Sequence, residues 1–138
     1  MKKNLGFILS FFCIFCLSSV LRADELPILS VDDTEAILNH MGREVIVEGT
    51  VTSAFWVRNQ VMLITFREQE EGFLAVAFAR NREKLNGAFS GDMAKTVEGR
   101  TVRIRGKISE YRSRPQIVVE EPAQLSFQDR EKDETKME

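Results

Sequence analysis

The sequence predicts a small all-β barrel of five strands, with a short helix before it and a short helical connector between strands three and four. In the run from Arg100 to Phe127, aliphatic residues and a glycine fall at every second position: Val102, Ile104, Gly106 and Ile108. Successive strand side chains point to opposite faces, so this spacing places aliphatic groups on a core and the intervening cations toward solvent. Glycines inside two candidate strands, Gly49 and Gly106, are typical of strands that bend at a barrel corner.

Residues 1–23 have the order of parts of a secretory signal peptide. Lys2 and Lys3 are followed by an apolar stretch, and Ala23 is a small residue before the cleavage point. The alternative is an uncleaved anchor, but the stretch from Leu5 to Leu21 has 17 residues, fewer than the roughly 20 that a membrane span needs. We therefore expect export to the periplasm or the medium, with no stable membrane span after cleavage.

Cleavage changes the composition of the chain. Both cysteines, Cys13 and Cys16, lie in the signal, so the mature chain has no disulfide and no cysteine-ligated metal. The full chain has 19 basic and 21 acidic residues, and the signal takes away three of the basic ones, which leaves a net charge of −5. The remaining length suits one domain with one hydrophobic core.

The mature chain begins with an acidic segment, residues 24–41, that contains a helix start. Asp32 is placed as the cap, Glu35 follows three residues later, and Gly42 is placed to end the helix. This predicts a helix of about two turns at one end of the barrel.

The strand pattern continues through residues 42–127. It predicts the first three strands at Glu44–Val57, Val61–Phe66 and Phe73–Ala79, with a turn at Arg58-Asn59. Arg80–Gly99 breaks the β pattern and predicts the helical connector, after which a hairpin within Arg100–Phe127 supplies strands four and five. Residues 128–138 are charged and predict a disordered tail.

Three strands, a connector and two further strands are the layout of a five-stranded Greek-key barrel of the oligonucleotide/oligosaccharide-binding (OB) type. A β-sandwich needs about seven strands, and an SH3-like barrel normally lacks so long a connector.

Two segments of this barrel share a pattern of glycine, arginine, alternating aliphatic residues and a second glycine: Gly42–Val51 and Gly99–Ile108. The second copy leads into Tyr111, Pro115-Gln116-Ile117 and Pro122-Ala123-Gln124. In these motifs the chain resembles exported bacterial OB-fold proteins of the nucleic-acid-binding superfamily, which are described as DNA-binding. The resemblance implies the fold more strongly than any one ligand, because OB folds bind many ligands.

In an OB fold, ligands lie across strands two and three and between the loops that join strands one to two and four to five. Rings stack on bases and guanidinium groups neutralise phosphates. The sequence therefore predicts low-specificity binding of single-stranded nucleic acid by aromatic and cationic residues of these loops, with a ring of strand two as the platform: Trp56, Arg58, Phe66, Tyr111, Arg112 and Arg114.

Each of these residues also has a structural interpretation. The position of Trp56 at a strand end is equally typical of a ring that closes a core. The position of Tyr111 is equally typical of a ring that packs over the barrel end. Arg112 and Arg114 have acidic partners within reach in the sequence, at Glu110, Glu120 and Glu121. We interpret a further basic row, Arg103, Arg105 and Lys107, as a solvent face that protects a strand edge.

Strand two is apolar on both faces. Met62, Ile64 and Phe66 lie on one face, and Val61 and Leu63 lie on the other. Periodicity does not decide whether the second set is covered or forms an exposed platform.

No pattern of catalytic residues stands out. His40 is the only histidine, and no mature cysteine or phosphate-binding glycine loop is present. The sequence therefore predicts a monomeric binding protein without enzymatic activity, metal or cofactor. Two alternatives to nucleic acid are an envelope module that binds an oligosaccharide or a small cationic ligand, with Glu68, Glu70 or Glu71 lining the cleft, and a protein–protein adaptor that uses strand two.

Overall fold

The computed structural model describes residues 25–66 and 72–128. Within them the strands, in chain order, are β1 (Ile28–Ser30), β2 (Glu44–Thr50), β3 (Ser53–Val57), β4 (Val61–Thr65), β5 (Leu74–Phe78), β6 (Thr101–Lys107), β7 (Ser109–Tyr111), β8 (Arg114–Val118) and β9 (Leu125–Phe127). The α-helices are α1 (Thr34–Asn39), α2 (Arg82–Ala88) and α3 (Met93–Val97), and two 3₁₀ turns lie at Ala79–Asn81 and Pro122–Gln124. The predicted signal peptide and the predicted tail after Gln128 lie outside the described residues.

The strands form two mixed sheets. The first sheet has the order β1-β2-β6-β9, and the second has the order β3-β4-β5-β8-β7. Strand β1 runs parallel to β2, and β5 runs parallel to β8. The arrangement is an OB-like all-β fold, although the two sheets do not close into a continuous barrel within the described residues.

The predicted first strand, Glu44–Val57, is two strands in different sheets. The chain leaves the first sheet after Thr50 and enters the second at Ser53. The hydroxyl of Thr52 donates to the carbonyl oxygen of Phe66 over 2.7 Å and fixes the crossing. Gly49 lies just before it, at a close approach where an added Cβ would come within 2.5 Å of a methyl carbon of Val31. The glycine therefore serves close packing, and the sheet change follows two residues later.

The predicted hairpin within Arg100–Phe127 is also divided between the sheets. Strand β6 pairs with β2 in the first sheet, whereas β7 and β8 form a tight hairpin in the second. Buried Ile108 marks the change of sheet, and its N–H donates to the carbonyl of Arg43 over 3.0 Å. A Cβ added at Gly106 would come within 2.5 Å of Cγ2 of Ile117 in β8. Only a glycine fits where β8 passes so close to β6.

The core lies between the inner faces of the two sheets. Valines and isoleucines of β2 and β6 face residues of β4, β5 and β8, and each α-helix adds at least one buried aliphatic or sulfur-containing side chain. Helix α1 is capped by the side chain of Asp33, which accepts from the N–H of Ala36 over 3.1 Å, one residue later than the predicted cap Asp32. None of the helices in the described ranges has the length and apolar character needed to cross a bilayer.

The basic row of β6 has acidic partners on the neighbouring strand. Arg103 Nε lies 2.6 Å from a carboxylate oxygen of Glu48, and Arg105 Nε lies 2.9 Å from one of Glu44. Strand β6 lies between β2 and β9, so the interpretation of this row as protection of a strand edge is wrong. Two of the three cations of the row, Arg103 and Arg105, thus form cross-strand ion pairs.

Candidate functional site

The two faces of β4 and β5 differ in a way that defines an outer surface. Met62 and Ile64 of β4 and Ala75 and Ala77 of β5 are fully buried in the core. The alternate residues point to the opposite face of the sheet, so β5 turns its small side chains inward and its large ones outward. The outward set consists of Val61, Leu63, Leu74, Val76 and Phe78. Leu74 and Val76 are only 6% and 4% exposed, so the accessible part of this face is Val61, Leu63 and Phe78.

This outer surface is the floor of an open pocket of about 380 Å³, within the size range of small-ligand sites. The rim comes from the β7–β8 hairpin. The described residues of the rim combine an aromatic ring, two cations and an amide: Tyr111, Arg112, Arg114 and Gln116. The pocket therefore joins an apolar floor to a cationic and aromatic wall. The floor includes Val61 and Leu63, the two residues of strand two whose role the sequence left open.

The β7–β8 hairpin holds its side chains in different ways. Tyr111 is 57% exposed, and the guanidinium carbon of Arg112 lies 5.3 Å from the centre of its ring. Arg114 Nε donates to the carbonyl oxygen of Gly72 over 3.1 Å, which ties the hairpin to the start of β5. Arg114 thus has a structural contact, whereas the guanidinium of Arg112 is exposed beside the tyrosine.

The β3–β4 turn lies at the other end of the pocket floor. It is closed by the N–H of Gln60, which donates to the carbonyl of Val57 over 2.9 Å. The exposed side chain of Arg58 is at its tip, as the sequence predicted for this turn. Because Phe78 of β5 pairs with Val61 next to this turn, the turn and the β7–β8 hairpin stand at opposite ends of β5.

The structure does not bring Trp56 to this pocket. Trp56 pairs with Met62, so its ring lies on the core side of β3, half-buried. The guanidinium carbon of Arg82 lies 4.5 Å from the centre of the ring on that side. The prediction of Trp56 as a binding residue beside the hairpin is therefore wrong, and its alternative interpretation as a ring that packs on the core agrees with the structure.

Phe55, which the sequence reasoning missed, is the aromatic residue that β3 presents outward. It pairs with Leu63 of the pocket floor and is 47% exposed. Alternation along β3 was the available signal, since neighbouring residues of a strand face opposite ways.

Phe66 is in the core. Its side chain is 4% exposed, and its ring centre lies 5.7 Å from that of buried Phe73. The prediction of Phe66 as a platform for bases is therefore wrong, because no face of the ring is open to a ligand in this structure.

Two of the three acidic residues considered as partners of the hairpin arginines pair elsewhere. Glu120 lies 3.3 Å from a guanidinium nitrogen of Arg80, and Glu121 lies 2.6 Å from Lys84 Nζ. Glu68, Glu70 and Glu71 lie outside the described residues. Among the described residues, the pocket lining contains two arginines and no acid.

The lone histidine is held by its own helix. His40 Nδ1 lies 2.7 Å from the carbonyl oxygen of Ala36, and because that oxygen only accepts, Nδ1 carries the hydrogen. In the ranges 25–66 and 72–128, no group of three or more His, Cys, Asp or Glu side chains is placed to hold a metal ion.

Comparisons with known proteins give no family for this chain. No family model matches it, and no curated protein matches it. Among solved structures, the Stn1-Ten1 complex of S. pombe matches with a TM-score of 0.46 and 16% identity, over 67% of this chain and 63% of that one. An OBody bound to hen egg-white lysozyme matches with a TM-score of 0.47 and 20% identity, over 70% of this chain and 88% of that one.

An aspartyl-tRNA synthetase from Leishmania major Friedlin also matches, with a TM-score of 0.48 and 9% identity over 75% of this chain. The chain spans only 21% of the length of that synthetase. Likenesses at these TM-scores carry no conclusion about a ligand, so any function has to be argued from the pocket itself.

Proposed function

We propose that this protein is an exported, non-enzymatic binding module that binds single-stranded nucleic acid, with low sequence specificity, on the outer face of its second sheet. One observation carries the proposal: an open apolar pocket has Tyr111, Arg112 and Arg114 on its wall. Export rests on the signal-like order of residues 1–23 alone.

The chemistry of the pocket matches the two parts of a nucleotide. A base has a flat apolar face that stacks on an aromatic ring, and each such contact contributes about 1–3 kcal/mol. Tyr111 offers a ring that is more than half exposed, and Arg112 places a cation beside it for a phosphate. Such contacts involve the face of a base and the backbone, not the base edges, so they discriminate little between sequences.

A second candidate function is the binding of an apolar segment of a partner protein. The observation that favours it is the aliphatic part of the floor, where the half-buried side chains of Val61 and Leu63 remain accessible. Burial of such surface contributes about 25 cal/mol per Å² and does not depend on ion pairing. A cationic ligand has less support, because arginines and no acid line the described part of the pocket.

The proposal is tested by fluorescence anisotropy with a labelled single-stranded oligothymidylate at low ionic strength. Arg112→Gln removes a charged donor from the pocket wall, and we expect its affinity to fall about tenfold. The matched control is Arg103→Gln, which removes the same charge from the first sheet, where Glu48 already pairs it. The control variant keeps the wild-type affinity.

The outcome that contradicts the proposal is either no binding by the wild type at low salt or equal losses for the two variants. The second candidate is distinguished by Leu63→Ser, which makes the floor polar at a half-buried position. If the pocket takes an apolar polypeptide, this variant loses its partner and Arg112→Gln does not.

A further inference from the structure

The two turns at the ends of the pocket floor share an uncommon backbone conformation. In the β3–β4 turn, Arg58 has φ 50° and Asn59 has φ 57°. In the β7–β8 turn, Arg112 has φ 49° and Ser113 has φ 64°. Positive φ at both central residues is what a type I′ turn requires, and such turns strongly favour Asn-Gly, Asp-Gly and Gly-Gly.

Arginine is a poor residue for this conformation. With positive φ, Cβ approaches the following carbonyl oxygen, and glycine, asparagine and aspartate tolerate this far better than other residues. Both turns nevertheless have arginine at the first central position, and neither has glycine at the second. The same departure from the preferred sequence thus occurs twice, in the two turns that border one pocket.

Ion pairs and hydrogen bonds within the described residues do not account for these two arginines, and the ring that Arg112 contacts, Tyr111, itself lines the pocket. Arg103, Arg105 and Arg80 form ion pairs, and Arg114 binds a backbone carbonyl. Among the described residues, Arg58 and Arg112 make no ion pair, and both side chains are exposed. Strained residues that the fold does not need for packing point to a functional role.

The positions of the turns define the ligand that they suit. Phe78 adjoins the β3–β4 turn and Leu74 adjoins the β7–β8 hairpin. These two points are four steps apart along β5, which is about 13 Å at a rise of roughly 3.3 Å per residue. A ligand that contacts both arginines therefore extends over about this length of the sheet.

We infer that Arg58 and Arg112 are a pair of anion contacts, held in strained turns at opposite ends of the pocket, and that the ligand is an extended polyanion that spans the sheet. For a stacked single strand, with one phosphate about every 3.4 Å, the span corresponds to about four nucleotide steps. The inference rests on the proposed function and adds to it the minimum length of the ligand.

Two pairs of variants separate backbone strain from charge. Arg112→Asn combined with Ser113→Gly converts one turn to Asn-Gly, and Ser113→Gly alone relieves strain but keeps the cation. Arg58→Asn with Asn59→Gly, and Asn59→Gly alone, do the same at the other turn. We expect the melting temperature to rise by roughly 4 °C in the three variants that replace Arg58 or Ser113, and by less for Asn59→Gly alone, because asparagine already tolerates positive φ. Affinity for an eight-nucleotide oligothymidylate falls about tenfold only in the two that lack an arginine.

A length series tests the span. For the wild type, affinity rises steeply from two to about five nucleotides, the length at which both arginines are reached. For the Arg58→Asn/Asn59→Gly variant the rise is shallower, because the far contact is gone. An unchanged melting temperature in the Asn-Gly variants, or a length series that is the same with and without Arg58, overturns the inference.

The probes also keep this inference separate from the proposed function. If the wild type binds oligonucleotides and both arginine variants bind them equally well, the proposed function stands and the pair of contacts is wrong. If the wild type binds inorganic polyphosphate in an arginine-dependent way but binds no oligonucleotide, the polyanion contacts stand and the nucleic-acid proposal is wrong.

Discussion

At the scale of single residues, the neighbours Phe55 and Trp56 show how one step along a strand separates structure from binding. Trp56 packs against the core, under the guanidinium of Arg82, whereas Phe55 faces outward beside Leu63. Both are aromatic and both stand at the edge of the second sheet. Their side chains are on opposite faces, so we expect their substitution to have opposite consequences.

We predict that Trp56→Ala lowers the free energy of unfolding by about 2 kcal/mol, roughly half of what truncation of a fully buried ring costs. The free energy of unfolding of Phe55→Ala stays within about 0.5 kcal/mol of the wild-type value, because the ring is nearly half exposed. Oligonucleotide affinity falls in Phe55→Ala and is unchanged for folded Trp56→Ala. Urea denaturation and anisotropy measure the two effects, and a loss of affinity confined to Trp56→Ala contradicts the assignment of faces.

At the scale of elements, the two sheets come very close together where β8 passes β6. Because Gly106 has no side chain, Ile117 fits against it there, and the space that remains is too small for an added methyl group. The strands on each side are buried, so β8 has little freedom to move away. This one crossing therefore limits how the second sheet can be placed on the first.

We predict that Gly106→Ala lowers the free energy of unfolding by about 1–3 kcal/mol through overpacking. Gly87→Ala is the control, because a Cβ there has nothing within 4 Å and the residue lies in helix α2. That substitution raises the free energy of unfolding by about 0.5–1 kcal/mol, since alanine favours a helix. Urea denaturation measures the free energy of unfolding of both variants. A Gly106→Ala variant as stable as the wild type would show that β8 is free to shift.

At the scale of the whole molecule, the arrangement of charge matters more than its sum. The net charge of the full chain is −2, and cations of β6 are already paired with acids of β2. The turns at the two ends of β5 retain exposed arginines, Arg58 and Arg112. A polyanion therefore meets a small number of available cations on a chain that is acidic overall.

We predict a shallow salt dependence of oligonucleotide binding. Three cations, Arg58, Arg112 and Arg114, each release about 0.7 counterions from a single strand, so the slope of log affinity against log salt is about −2. Removal of Arg103 and Arg105 together leaves the slope unchanged, whereas removal of Arg112 reduces its magnitude by about 0.7. A slope near zero, or one several times steeper, contradicts this account of the site.

The sequence allowed the class of fold to be predicted, along with most strand positions, because alternation and glycine spacing are local signals. It did not show that Glu44–Val57 changes sheets at Val51-Thr52, because a sheet change depends on contacts distant in sequence. Tyr111 and Arg112 lie in the turn where the sequence predicted them, and this turn forms the pocket wall, whereas Trp56 packs against the core and Phe66 is buried in it. The predicted strand two, which is β4 in the structure, is apolar on both faces. Only the packed structure shows which of its two sets of side chains faces the core.

Within the described residues, the chain crosses between the two sheets four times: after β2, β5, β6 and β8. Both sheets also contribute side chains to one hydrophobic core, so we expect them to unfold as one cooperative unit. Opening reactions that expose the amides of β2 and β6 are global ones. A ligand that touches only the second sheet thus slows hydrogen exchange in the first by the same factor, because both belong to a single cooperative unit.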